Sequence, residues 1–335
     1  MKLKNILSVF CCLVAMVSCS MEDDTMMNDT SKELMNRNSD KEAVLNINLS
    51  SSALRTKATG DTEAADGAKE TKLENCVLAL MDGNDVLAVR TSSDISATGK
   101  VNDVSFLTKV RSGLSVIAIV NVANPADYLS ATTYNELNKM VTVDPNGEAL
   151  LVKQGKKAIE FPAGFGSPST TPTAENTMPV TIVVTQVAAK LQLSEFNVKY
   201  ADGVQKEKTV TLTEVSFENI NKQSNVFTEA SLVIDGFKGT SVGTTAYSYA
   251  NTKNADSPVK MSLTFRIGDA GSMQGETVTR TYIINNKDVQ AGYLYRVIVN
   301  MTVNTHTVDT DVVCYTQDWE HNEISVDMSE VRVNK

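Results

Sequence analysis

An all-β protein of two antiparallel β-sandwich domains in tandem is what this sequence predicts, and three observations predict it. From Leu73 onward, short runs rich in Val, Ile, Thr, Phe and Tyr recur with turn residues between them. Several of those runs alternate apolar and polar side chains with a period of two, the mark of a strand with one buried face. The chain has 335 residues, 42% of them hydrophobic, which suffices for two cores of ordinary size.

Taken in order, residues 20–42 are polar and aperiodic, as expected of a tether. Leu45, Ile47 and Leu49 then alternate with Asn46, Asn48 and Ser50, which predicts a half-buried strand. The stretch from Ser51 to Ala68 is small and polar and reads as an exposed loop. Cys76 to Met81 and Val86 to Arg90 form a predicted hairpin around Asp82-Gly83-Asn84-Asp85. Those two aspartates lack the spacing of a calcium loop, so the segment reads as a turn. Val104 to Val110 is the next strand. Val116 to Val122 is apolar almost throughout, as in a strand buried on both faces. Tyr134 to Val141 is the best short helix, and Asp144-Pro145-Asn146-Gly147 has turn chemistry at each position.

Phe161 to Thr173 is a long loop rich in Gly, Pro, Ser and Thr, and Val180 to Val184 is a strong strand. A change of pattern near Thr185–Ala189 marks the expected domain boundary. The second domain reads as strands at Lys190–Tyr200, Thr209–Phe217, Ala230–Ile234, Val259–Ile267, Val278–Ile284 and Tyr293–Val303. Val312–Tyr315 and Ile324–Met328 close the pattern, with turns such as Asp202-Gly203 and Asn285-Asn286 between strands.

Charge and composition exclude several functions. The net charge is −9 with no basic stripe, which argues against a nucleic-acid partner. The two histidines, His306 and His321, stand in no metal-ligand spacing, so neither a metal nor another cofactor is expected. Neither a G-x-S-x-G nor a phosphate loop nor a dinucleotide glycine pattern stands in a strand-then-helix context. The 40 carboxylates scatter through turns and solvent faces and single out no acid–base pair. Trp319, the single tryptophan, reads as core packing or an inter-subunit plug rather than a sugar platform. The composition therefore predicts a protein that is not an enzyme.

Cysteine placement points to export. Of five cysteines, Cys11, Cys12 and Cys19 lie in the first 20 residues, and only Cys76 and Cys314 remain in the body. These two read as buried free thiols, with a pairing between them as the alternative. Lys2 and Lys4 precede an apolar run from Ile6 to Val17, too short to span a bilayer, as in a signal peptide. It ends in Met16-Val17-Ser18-Cys19, which resembles a lipobox with Met where Leu is commoner. That motif implies lipidation of Cys19 and residence in the outer membrane. Glu22, Asp23 and Asp24 follow and resemble a surface-export tag.

Four features, in this order, resemble the fimbrillin family, the pilins of type V pili in Gram-negative anaerobes. The first is the lipobox with its following strand and the segment Leu54-Arg55-Thr56-Lys57-Ala58. The second is Val187-Ala188-Ala189-Lys190-Leu191-Gln192-Leu193, where Gln186 stands in place of the Arg that members often carry. The third is Ala291-Gly292-Tyr293-Leu294-Tyr295-Arg296-Val297-Ile298-Val299. The fourth is Val312-Val313 leading to Trp319 and a terminal alternating strand.

The resemblance implies two transthyretin-like sandwiches. It divides the chain into a signal peptide (1–19), a propeptide with tether and strand (20–55), an N-terminal domain (56–186) and a C-terminal domain (187–335). It implies a subunit that polymerises with other pilin subunits, tip and anchor subunits among them, into an adhesive cell-surface fimbria. A trypsin-like protease would cut after Arg55, with Lys57 as the alternative. The strand carrying Leu45, Ile47 and Leu49 would then depart, and the strand carrying Ile324, Val326 and Met328 of another copy would replace it. A glycan-binding surface lipoprotein and a tip or anchor subunit are the competing readings.

Overall fold

The computed structural model describes residues 40–51, 67–141, 143–147, 149–201, 208–252, 256–269, 275–284, 288–304, 308–318 and 323–327. The protein is all-β, with two large sheets in sequence order. The first has seven strands: β1 (Glu42–Ser51), β2 (Cys76–Asp82), β3 (Asp85–Ser92), β4 (Lys100–Lys109), β5 (Leu114–Val120), β7 (Lys153–Ala158) and β8 (Thr177–Gln186), in the order β3-β2-β5-β7-β8-β1-β4. Between β5 and β7 lie a 3₁₀ turn (Pro125–Tyr128), helix α2 (Tyr134–Leu137) and the two-residue β6 (Met140–Val141). A five-residue helix, α1 (Gly67–Thr71), precedes β2.

The second sheet contains β9 (Ala188–Tyr200), β10 (Lys208–Asn221), β13 (Thr245–Tyr249), β14 (Lys260–Asp269), β15 (Glu276–Ile283), β16 (Tyr293–Val303), β17 (Val308–Asp318) and β18 (Glu323–Asp327). Its order is β15-β14-β10-β13-β9-β16-β17-β18, with β12 (Ile234–Gly239) added on β10. The short β11 (Ser224–Asn225) pairs with β6 across the two halves of the chain. Pairing is antiparallel except in two ladders, β1 with β8 and β9 with β16. Both join strands far apart in sequence, as parallel neighbours must be.

Three apolar clusters explain the patterns. Cys76, Leu78 and Leu80 of β2 and Val116, Ala118 and Val120 of β5 face a core built with β1, β4 and β8. Their alternates Val77, Ala79, Met81, Ile117 and Ile119 face a second core completed by Leu137, Leu151, Tyr247 and Tyr249. Strands covered on both faces have no position for a polar side chain, hence the unbroken apolar run. The third core lies within the second sheet, where β16 buries Tyr295, Val297, Val299 and Met301 against Met261, Leu263 and Phe265 of β14. On the outer face of β14, Ser262 and Thr264 meet Thr281 and Thr279 of β15 hydroxyl to hydroxyl.

Helix α2 ends sooner than its sequence promises. Thr133 and Glu136 form a capping box at its start, and Met140–Val141 then turn to strand by pairing with β11. The expected strand at Ala230–Ile234 is displaced: β12 begins only at Ile234, and Lys222 N–H bonds to Val233 O just before it.

The two sheets are joined through the segment that precedes β2. Glu70 of α1 sets its carboxylate 2.7 Å from Lys190 Nζ of β9 and accepts from the Tyr247 hydroxyl of β13 at 2.7 Å. Its carbonyl accepts from Gln186 Nε2 at 2.7 Å, and Lys69 lies over the Tyr247 ring. Asn121 and Lys153 both donate to the Lys72 carbonyl. Asn146 pairs with the Tyr247 backbone in both directions, and the Tyr249 hydroxyl donates to Val143 O.

Lys153 is fully buried, and desolvation pulls its ammonium down from 10.5 to about 8 against the opposing field of Glu70. Between about pH 8 and 10.5 the unfolded chain holds a proton on this lysine that the folded chain has lost. Stability from this group therefore rises with pH across that window. The difference corresponds to about 3 kcal/mol. Lys153→Met has no such proton, so the stability of wild type relative to the variant should grow by about that amount between pH 7.5 and 10.5 in urea titrations. A pH-independent difference would mean that the lysine is not desolvated in solution. The tyrosines Tyr128 and Tyr249, pushed up by burial, titrate in both proteins and cancel.

Candidate functional site: the seat of the first strand

Strand β1 lies inside its sheet, not at an edge. It pairs with β8 over eight consecutive positions, Val44↔Thr177 to Ser51↔Val184. On its other side it pairs with β4 from Glu42↔Lys109 to Asn46↔Ser105. After an irregularity it resumes at Asn48↔Lys100. Two hydrogen bonds fix the phase of both ladders. Val44 N–H donates to Asn176 O on the β8 side, and Leu49 N–H donates to Gly99 O on the β4 side, both at 2.7 Å. Even-numbered residues of β1 thus address β8 and odd-numbered ones β4. By the same phase, even residues of β8 address β1. Pro179, which has no N–H, turns its nitrogen away from the ladder and costs it nothing.

The side chains obey the same alternation. Leu45, Ile47 and Leu49 are 0%, 1% and 2% exposed and sit in one core with Phe106, Val180, Ile182, Leu78 and Cys76. Ala43 and Val44 are buried as well. At about 1.5–3 kcal/mol for each large apolar side chain, the inward triad contributes on the order of 5–9 kcal/mol before entropy is subtracted. Strand removal would leave a groove with unpaired backbone groups on both walls and apolar side chains on its floor.

Two glycines define the ends of this seat. At its C-terminal end, a Cβ on Gly99 would fall on the Leu49 carbonyl oxygen, and φ of +83° is open to few side-chain-bearing residues. At its N-terminal end, a Cβ on Gly166 would meet Val110 Cγ2 at 2.6 Å and Glu42 O at 3.2 Å, with φ of +96°. Ser167 meanwhile exchanges both backbone hydrogen bonds with Glu42. The glycine in Ala97-Thr98-Gly99-Lys100 carries a turn signal in the sequence. Its closeness to β1, 50 residues earlier, has none.

The other residues singled out from sequence are placed as follows. Ile324 and Val326 lie on β18, whose backbone pairs with β17 from Val313↔Asp327 to Gln317↔Glu323 at the outer edge of the second sheet. Cys19, Arg55, Lys57 and Met328 lie outside the described residues, as do Trp319, His306 and His321. The fold thus does not bring the triad of β1 and that of β18 together within one chain; they belong to different sheets. Cys76 is a free, buried thiol, pushed up to about 12 by burial.

Among the described residues, no group of three or more His, Cys, Asp or Glu could hold a metal ion. A cleft of about 530 Å³ is lined by Arg111, Lys156, Glu160 and Phe161 among others. Arg111 there is paired with Asp82 at 3.1 Å. It presents no nucleophile beside a base.

No family model matches the sequence, and no curated protein matches it. Solved structures do. A fimbrilin from Porphyromonas gingivalis W83 superposes with a TM-score of 0.57 at 14% identity, covering 83% of this chain and 98% of that one. The tip fimbrial protein Mfa3 of Porphyromonas gingivalis, with a C-terminal truncation, gives 0.50 at 13% identity, over 82% of this chain and 99% of that one. The chain has the fold of these fimbrial proteins across nearly their whole length.

Proposed function

We propose that this protein is a structural subunit of a cell-surface fimbria. It is made as an outer-membrane lipoprotein through Cys19 and assembled by protease-triggered strand exchange. The observation that carries the reading is the position of β1: an interior strand, buried on its inward face, joined to the rest of the chain through the segment holding Arg55 and Lys57. Cutting after Arg55 separates β1 from the body while α1 and the residues after it stay fixed to both sheets through Glu70, Lys72 and Asn75. The cut also parts the subunit from its lipid. The shared fold with a fimbrilin supports the same reading.

The driving force follows from ladder arithmetic. Among the described residues of its own chain, β18 has one neighbour, β17, over five residues. In the emptied seat of another copy it would have two, β8 and β4, and Ile324, Val326 and Met328 would cover the floor left by Leu45, Ile47 and Leu49. The exchange is head-to-tail, so repetition gives a filament and not a closed ring.

The test is brief trypsin treatment of lipid-free precursor, with the new N-terminus read by mass spectrometry and size followed by gel filtration. One cut after Arg55 and growth of stable oligomers are expected, and deleting residues 324–335 should abolish growth. Cleavage there that leaves a lasting monomer sinks the proposal.

A further inference from the structure

Strand β15 ends the second sheet on the side away from β18, and among the described residues its outer edge meets no ladder partner. Sheets usually blunt such an edge with a bulge, a proline, a lysine or a very short strand. β15 has none of these. Its eight residues, Glu276-Thr277-Val278-Thr279-Arg280-Thr281-Tyr282-Ile283, pair with β14 in unbroken register from Ile267↔Glu276 to Lys260↔Ile283. By contrast β12 carries two glycines and a register shift, and β18 has only five residues.

Two observations fix which backbone groups of β15 turn outward. Ile284 N–H donates to Val259 O at 3.0 Å, so even-numbered residues address β14. The hydroxyls of Thr279 and Thr281 lie 3.0 and 2.8 Å from those of Thr264 and Ser262, the close approach of pairs that share no backbone hydrogen bond. Thr277, Thr279 and Thr281 therefore turn their N–H and C=O groups away from β14. Val278 packs against the core and Tyr282 is buried in it, which puts Glu276, Val278 and Arg280 on the core-facing side and the threonines on the other.

A second β15 running antiparallel must set outward-turned residues against outward-turned residues, so only every other register is open to it. Centred on Val278, Thr277 exchanges both backbone hydrogen bonds with Thr279 of the other copy, and Glu276 stands opposite Arg280 at both ends. Centring on Arg280 sets the two arginines against each other. Centring on Thr277 or Thr279 breaks both charge pairs and places Glu276 opposite Val278 or Tyr282.

We infer that β15 is a docking edge for β15 of a second copy, paired antiparallel about a two-fold axis at Val278 and held in register by Glu276 opposite Arg280. The contact is isologous, so it closes on two subunits, and it requires no cut. In filaments assembled as proposed above it would tie neighbours side by side; that consequence rests on strand exchange, whereas the dimer does not. Reversing one charge makes both pairs repulsive and should weaken dimerisation about tenfold at low salt. At 1 M salt, where screening acts over about 3 Å, most of that effect should vanish.

The test uses uncut, lipid-free precursor in sedimentation equilibrium from about 1 µM to 1 mM, the affinity range of small interfaces. Wild type should pass from monomer to dimer. Arg280→Glu and Glu276→Arg should each shift that transition to higher concentration in low salt, and the double swap should bring it back. Val278→Cys checks the register. At a central pair without backbone hydrogen bonds the two Cβ atoms stand close enough for a disulfide. Oxidation with copper–phenanthroline should then cross-link the variant into a dimer on denaturing gels and leave wild type uncross-linked. A wild type that stays monomeric throughout, single variants that dimerise as tightly as wild type, a double swap no tighter than the singles, or a cysteine variant that fails to cross-link would each overturn the inference. None of these results bears on strand exchange, and a cut precursor that fails to grow leaves the dimer standing.

Discussion

Replacing Ile47 with aspartate is expected to empty the seat of β1 without any proteolysis. Ile47 is 1% exposed and is the middle member of the inward triad. Truncating such a side chain costs about 2–5 kcal/mol, and a carboxylate on an apolar floor adds several more. The damage should stay local. β1 is joined to α1 only through residues 52–66; without it β3-β2-β5-β7-β8 keep a continuous order, and β4 stays tied to the end of β3 through Ser92–Asp103 and the Ile95↔Val101 bridge. Cys76 reports the event, because its buried thiol lies in the same core as Leu45 and Leu49. Peptide-resolved alkylation of Cys76 should accelerate at least ~100-fold, the factor that about 3 kcal/mol confers on a local opening. Exchange of the β1 and β8 amides should rise with it. If Cys76 stays as protected as in wild type, β1 is not the plug of this sandwich. A variant that opens without being cut should also grow into oligomers without being cut, which separates the role of the strand from that of the protease.

The second large effect is expected at Glu70. Its carboxylate holds Lys190 and the Tyr247 hydroxyl, with the ion pair's side chains only 13% and 14% exposed, and it opposes the desolvation of Lys153. Glu70→Ala removes the acceptor and leaves the two lysines with less opposing charge, a change that costs about 3–5 kcal/mol in buried pairs. Because this node ties β9 and β13 to the segment before β2, the loss should appear as uncoupling. Calorimetry of wild type should show one transition; the variant should show an earlier one for one sheet and a later one for the other. Glu70→Gln, which retains an acceptor for Tyr247 without the charge, should fall between. An Ala variant that melts as a single transition at the wild-type temperature would show that the junction rests on Tyr247–Asn146, Tyr249–Val143 and the β6–β11 pair instead. A cut upstream of residue 67 would leave the node intact, so a subunit matured as proposed would keep its two sheets joined.

The sequence by itself determined the class of fold and most strands of the second half, because their alternation reflects one buried and one wet face. β14 and β16 announce themselves through Met261, Leu263 and Phe265 and through Val297, Val299 and Met301. It also determined which face of β1 is inward, since Leu45, Ile47 and Leu49 share one parity. It did not reveal β7, whose Lys153-Gln154-Gly155-Lys156-Lys157-Ala158 has no apolar alternation. That strand exists because β5 and β8 flank it, and because the Lys72 and Leu151 carbonyls receive its buried ammonium. It gave no sign of α1 either: Gly67–Thr71 looks like the end of a polar loop until Glu70 meets Lys190 and Tyr247, more than 100 residues later. Tertiary structure alone decided that β1 lies between β8 and β4, and that Gly99 and Gly166 close its ends. A strand's own pattern encodes its parity and its burial, which are local; its neighbours are fixed by a competition among all strands for the same hydrogen bonds, and that competition is settled only when the whole sheet closes.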